Sequence, residues 1–236
     1  MQHMYDMRHF GRTRRAAAGA VVVAAVMLGA LTGCSSSGDG DKGEGKSKDK
    51  GSSDTKAATS SSKQFGNKGS ACVLPVTFDL AKSWKPKTVK PLPAEKDAGL
   101  GFNKLLKQGG LRMACEIDGK PAGHLGMMRV WTGPKSAAGD KPREVLERYV
   151  AGEFDPIRKR TYTDIKVGVD GLAATEVVYS SYSKLTEETR NQTAVAFATP
   201  QGPVLLSLGG WDTEEHKDML PALELAKKSL KVSAGD

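Results

Sequence analysis

Few side chains in this sequence are of the types that do chemistry, and their spacing narrows that chemistry further. Beyond the first ten residues the only histidines are His124 and His216. Neither stands at a metal-ligand spacing from Cys72 or Cys115, so no zinc site is expected, and no other metal or cofactor is indicated. The sequence has no G-x-S-x-G, S-x-x-K, H-E-x-x-H or P-loop motif. Gly119, Gly123 and Gly126 stand in the wrong order for a dinucleotide fingerprint and precede a strand. Each histidine, lacking a visible partner, reads as a surface residue or a satisfied structural one. Glu187-Glu188 suggests paired carboxylates, but adjacent side chains in extended chain point apart, so a solvated acidic turn is the better reading. The expectation is a protein that is not an enzyme and has no catalytic residue.

The third cysteine, Cys34, has a different setting. Arg8, Arg12, Arg14 and Arg15 precede an uncharged run from Ala16 to Leu31. As a helix that run reaches about 24 Å, short of the ~30 Å of a bilayer core. It reads as the apolar core of a secretory signal. It ends in Leu31-Thr32-Gly33-Cys34, which resembles a bacterial lipobox: a large apolar residue, two small ones, then cysteine. That resemblance implies cleavage before Cys34, alkylation of its thiol by a diacylglyceryl group, and acylation of its new amine. Two or three acyl chains give stable membrane anchoring where one does not. Thr13-Arg14-Arg15 partly matches a twin-arginine export signal, but ordinary Sec export fits the following residues better. The expected location is the extracytoplasmic face of the cell membrane.

Residues 1–33 are therefore expected to be a signal peptide and 34–70 a lipidated cysteine with a disordered polar linker. Ser35 to Ser70 has one aromatic residue, Phe65, and no Val, Ile, Leu or Met, so it cannot bury enough apolar surface to offset its ordering entropy. Asp39 to Glu44 briefly looks like a calcium loop but has glycine and lysine where ligands are needed. Residues 71–236 are expected to form one globular domain. Its 24 Lys plus Arg against 21 Asp plus Glu leave only +3 of the chain's +8, too mild to argue for nucleic acid. In an oxidising compartment a Cys72–Cys115 disulfide is the natural assignment; two buried free thiols or a redox pair are the rival readings.

Two further groups are candidates for contact. Trp84, Trp131 and Trp211 each fall at the end of a predicted strand beside Gly or Pro. They are either core-edge packing, or two of them rim a pocket or partner surface. Arg158-Lys159-Arg160 is the densest basic run, either a solvated loop or a docking point for an acidic partner. Met127 and Met128 must face opposite sides of their strand, so one belongs to the core and the other is free to line a pocket.

The elements that would position these residues are legible in outline. Val76 to Leu80 alternates as a strand, followed by a turn at Trp84-Lys85-Pro86. Gly101 to Lys107 reads as a short helix stopped by Gly109-Gly110. Leu111 to Ile117 and His124 to Trp131 flank a hairpin turn at Asp118-Gly119. Pro142 to Glu153 is a helix with Val145, Leu146, Tyr149 and Val150 on one stripe. Ile165 to Val169 and Ala173 to Ser183 read as strands, and Thr193 to Ala198 with Val204 to Leu208 as a second hairpin. Asp212 and Glu215 space a capping box for a terminal helix with Met219, Leu220, Leu223, Ala226 and Leu230 inward. Pro221 predicts that its main run starts near Leu220.

Strands, a helix, more strands and a final helix give an α+β class, a mostly antiparallel sheet packed with helices. In that order VTFDLAKSWKP, DKPREVLERYVAGE, TAVAFATPQGPVLLSLGG and AKKSLKV resemble a Mog1/PsbP-like domain. With the lipobox and polar linker, they resemble the LpqN-type lipoproteins of actinobacteria. The resemblance implies an accessory or binding role and transfers no functional residue. The expected function is a membrane-anchored, non-enzymatic binding or accessory module for an envelope protein partner. The alternative is a carrier or sensor of a small apolar ligand such as a lipid.

Overall fold

The computed structural model describes residues 64–99 and 101–233. The expected signal peptide, Cys34 and most of the expected linker lie outside the described residues. In chain order the elements are β1 (Val76–Thr77), β2 (Lys85–Thr88), α1 (Ala94–Asp97), α2 (Phe102–Leu105), β3 (Lys107–Gln108), β4 (Leu111–Asp118) and β5 (Met127–Thr132). There follow α3 (Pro142–Ala151), β6 (Ile157–Val167), β7 (Leu172–Ser183), β8 (Glu188–Thr199), β9 (Gly202–Gly209), α4 (Thr213–Ser229) and β10 (Lys231–Val232).

The main sheet is antiparallel, in the order β2-β4-β5-β9-β8-β7-β6, with β3 also paired to β4. The α+β class expected from the sequence is the one observed. The sheet consists of a short meander ending in β5 and a long meander β6–β9. Helix α3 joins them by crossing one face of the sheet. Strands β1 and β10 form a separate two-stranded ribbon.

Alternation along the strands makes two cores. On one face Ile117, Val130, Val195, Phe197, Leu206 and Leu208 pack with Met219, Leu223 and Ala226 of α4. On the other face Met113, Trp131, Val177, Ala194, Ala196 and Leu205 pack with Val145, Leu146, Tyr149 and Val150 of α3. The four-residue stripe of α3 is the one its sequence spacing marks. Met128 is core, whereas Met127 on the opposite face is half-buried.

Cys72 and Cys115 form a disulfide, with Cα atoms 6.0 Å apart. It ties the segment before β1 to the middle of β4, and both residues are buried.

Several expectations need correction. Ordered structure starts before residue 71: Phe65 is buried and exchanges backbone hydrogen bonds with Phe78, at 2.7 and 2.9 Å. The one aromatic of a polar segment finds an apolar slot, with its ring edge-on to Phe78 at 5.4 Å. The strand beginning at Val76 stops at Thr77, apart from that single bridge at Phe78. Lys85–Thr88 is an edge strand rather than a turn; its proline is tolerated because one side of the strand is unpaired. Gly109-Gly110 is the β3–β4 hairpin turn, both residues having positive φ. A Cβ on Gly109 would stand 2.6 Å from the Tyr149 nitrogen, so this turn packs directly on α3.

The β4–β5 turn is longer than the Asp-Gly signal implies. A 3-10 turn at Lys120–Ala122 fills it, and the left-handed residue is Gly123 rather than Gly119. Arg158-Lys159-Arg160 lies in edge strand β6, not in a loop. The run lacks apolar alternation because backbone pairing with β7 sets its place, and charged side chains are normal on such an edge; Arg158 lies over the Tyr182 ring, 4.9 Å from its centroid. Helix α4 runs unbroken through Pro221. Pro221 and Lys217, four residues earlier, are both exposed, so water can serve the carbonyl that lacks a helical N–H.

Candidate functional site

Strand register aligns side chains in rows on the α3 face. One row is Trp131, Leu205 and Ala196. The next is Glu116, Arg129, Ser207 and Ala194. The third is Met127, Gly209, Gln192 and Tyr179. The chemistry thus changes from apolar to polar along the strands. Helix α3 has ten residues, a length of about 15 Å, and packs Tyr149 on Trp131 with ring centroids 5.4 Å apart. The polar rows beyond it floor an open groove of about 660 Å³. A recess of about 300 Å³ shares Arg129, Glu153, Phe154 and Gln192 with that groove, so the two adjoin.

The floor is densely hydrogen-bonded. Arg129 Nε donates to Glu116 Oε2 at 3.3 Å. Gln108 Nε2 donates to the Tyr149 carbonyl at 2.9 Å and to Glu153 Oε1 at 3.2 Å. The Tyr179 hydroxyl donates to the same Glu153 oxygen at 2.5 Å. Trp131 Nε1 donates to Ser207 Oγ at 3.0 Å. Burial raises the Tyr179 phenol well above its usual range, and nearby Tyr149 and Glu153 push the same way. Burial also raises Tyr149, against the lowering effect of its hydrogen bond with Ser207. Both phenols therefore stay protonated at physiological pH. They are fixed hydrogen-bonding groups and are not set up as general bases.

The rim is apolar. Among the described residues ten large hydrophobic side chains are exposed, and five of them border this groove and recess: Phe102, Leu105, Leu125, Phe154 and Trp211. Phe154, just beyond the end of α3, is 87% exposed. The recess side of the rim is held by Glu215 in the first turn of α4. One of its carboxylate oxygens accepts the Trp211 N–H. The other accepts the N–H groups of Leu125 and Gly126, the latter at 3.2 Å. The capping signal at Asp212 holds as well, its side chain accepting the Glu215 N–H at 2.8 Å.

The tryptophans divide among different places. Trp131 is buried in the groove floor, and Trp211 is half exposed on the rim beneath the Arg190 guanidinium, 5.2 Å from its ring centroid. Trp84 is buried in a second cleft of about 430 Å³ against α4, with His124 6.0 Å away. As contact residues Trp84 and Trp131 are therefore recessed rather than presented. Arg158, Lys159 and Arg160 border none of these clefts. His216 is buried, with Nε2 3.0 Å from Thr193 Oγ1, and lines neither groove nor recess. No group of three or more His, Cys, Asp or Glu able to hold a metal occurs among the described residues.

The sequence reading missed Glu116, Arg129, Glu153 and Gln192 in the floor and Phe102, Leu105, Leu125 and Phe154 on the rim. Phe154 carried a signal: a large apolar side chain between Glu153 and Asp155, two residues after the helix-ending Gly152, has no core-facing period to join. Glu116 and Arg129 gave none singly, because a charge in a strand is ordinary until its register partner is known.

The chain belongs to a family described as an uncharacterised lipoprotein, which its residues 42–230 match. Membership implies association with a membrane. Among solved structures, it is similar to the crystal structure of LpqN of Mycobacterium tuberculosis, a protein involved in cell envelope biogenesis. The match has 12% identity and a TM-score of 0.33, and covers 64% of this chain and 86% of that one. No curated protein matches the sequence.

Proposed function

We propose that this chain is anchored by acyl chains on Cys34 at the extracytoplasmic face of the cell membrane. There its domain acts by binding an envelope partner protein, without turnover. The groove on the α3 face is the contact site. The observation that carries this reading is the gathering of half the exposed large apolar side chains around one groove. Solvent-exposed apolar clusters of this kind mark interaction sites. The groove lining includes no histidine, its phenols are held protonated, and the Glu116 and Glu153 carboxylates already accept hydrogen bonds from neighbouring side chains, which supports binding rather than turnover. LpqN, with its role in cell envelope biogenesis, is a compatible setting.

A carrier or sensor of a small apolar ligand such as a lipid is the second reading. It is favoured by the groove volume, which falls in the range of small-molecule sites. A photoreactive residue in place of Phe154 separates the two in the native envelope. Protein adducts that diminish with Leu125→Glu, on the recess side of the rim, support the first reading, and lipid adducts that persist when Phe102→Ser and Leu105→Ser are added support the second. Ester, peptide or glycan hydrolysis by the purified protein, abolished by Glu153→Gln, would overturn both.

A further inference from the structure

One wall of the groove has a composition unlike the rest of the domain. Residues 85–107 carry Lys85, Lys87, Lys90, Lys96, Lys104 and Lys107 against Glu95 and Asp97, a formal +4 in a domain of +3. All six lysines are exposed. Lys87 and Lys90 line the groove, and Lys104 lies in α2 between Phe102 and Leu105. These two side chains are 40% and 53% exposed, and Phe154 lines the same groove. The segment thus combines a local excess of cations with large apolar side chains that are about half exposed.

We propose that the wall formed by residues 85–107 docks on an anionic lipid bilayer, with Phe102 and Leu105 entering the headgroup region and the lysines facing acidic lipids. Exposed large apolar side chains flanked by lysines bind a membrane surface through buried apolar area and electrostatic attraction together. Neither is strong alone, but a membrane tether raises the local concentration of the surface it must find. Docking there would turn the mouth of the groove towards the bilayer. The proposal takes its setting from the anchored, extracytoplasmic reading but does not depend on what occupies the groove.

The test uses the purified mature chain from residue 34 onward carrying Cys34→Ala, so that neither an acyl chain nor the basic, apolar segment before residue 34 contributes. Flotation with vesicles of phosphatidylcholine alone is compared with vesicles that also contain phosphatidylglycerol. Binding should require phosphatidylglycerol, weaken as salt is raised, and fall about fivefold for each lysine removed in Lys90→Ala and Lys104→Ala. Phe102→Ser with Leu105→Ser should weaken it comparably, with an unchanged melting temperature. Arg158→Ala, Lys159→Ala and Arg160→Ala together, on the far edge strand, should leave binding unaltered. Binding that is absent, equal on neutral vesicles, insensitive to the apolar changes, or lost equally with the distant arginines removed overturns the proposal. Because the chain is unlipidated, these outcomes do not depend on whether Cys34 is the anchor. That is read separately, from retention of the Cys34→Ala precursor in cells.

Discussion

The Glu215 carboxylate accepts the backbone N–H of Leu125, ninety residues away in sequence, and so fastens the β4–β5 turn to the first turn of α4. The same carboxylate holds the N–H of Trp211. Two loops that each carry an exposed apolar residue are thus spaced by one side chain. Glu215→Ala leaves these amides without their acceptor and should cost about 1–3 kcal/mol of stability. Glu215→Gln keeps one acceptor oxygen but sets an amide N–H₂ against a donor, and should be intermediate. Chemical denaturation measures the stability. Collisional quenching of the Trp211 fluorescence, with the buried Trp84 and Trp131 as the internal background, should rise in both variants. Unchanged quenching would show that the loops are held by other contacts.

The start of the ordered domain is a second test. Phe65 is buried against Phe78, and Leu74 N–H donates to the Gly66 carbonyl at 2.8 Å. A chain beginning at residue 64 should melt cooperatively. One beginning at Ser70 loses a buried aromatic side chain and the three backbone hydrogen bonds made by Phe65 and Gly66. It should be less stable by about 3–5 kcal/mol, as for a buried phenylalanine removed. Equal melting temperatures for the two chains would mean that Phe65 only rests on the surface.

What could be read in advance and what could not follows a physical divide. Helix α3 and the β8–β9 hairpin were legible because both are patterned by the core they enter: Val145, Leu146, Tyr149 and Val150 on one stripe, Val204 to Leu208 as a continuous buried run. Cys72 with Cys115 was legible from the chemistry of an oxidising compartment. Strand β2 and the first half of β6 were not, because edge strands are specified by a neighbour's backbone and carry charge on their own side chains. The groove was hidden for a related reason. Its floor exists only once register sets Glu116 opposite Arg129 and Gln192 opposite Gly209, and its rim residues belong to loops with no period to read.

The disulfide gives a prediction about stability alone. Cys72 and Cys115 are 43 residues apart in sequence, so the crosslink restrains a long stretch of unfolded chain. Cys72→Ser with Cys115→Ser should lower stability by about 2–4 kcal/mol. Reduction of the unmodified chain should lower its melting temperature similarly, and neither should alter the groove, which contains neither cysteine. Mapping under non-reducing conditions should recover one joined peptide pair. Free thiols in protein taken directly from the envelope would contradict the bond.

His216 makes stability depend on pH in a known direction. It is buried at the start of α4, with Nε2 on Thr193 Oγ1 and no partner for Nδ1. Burial lowers its pKa below the usual imidazole value. The unfolded chain, in which His216 is free, therefore takes up a proton at higher pH than the folded one. Above about pH 6.5 both states are neutral at this position and its contribution to folding is intact. As pH falls below that value the unfolded state gains protons first, and stability declines until the folded pKa is passed. The positive end of α4 disfavours the charged ring further, while Asp212 and Glu215 in the same turn already accept backbone N–H groups. Denaturation midpoints from pH 7.5 to pH 5 should fall in the unmodified chain. They should flatten in His216→Gln, whose side-chain amide can still reach Thr193 but does not titrate. A slope that survives His216→Gln would assign the acid sensitivity to carboxylates instead.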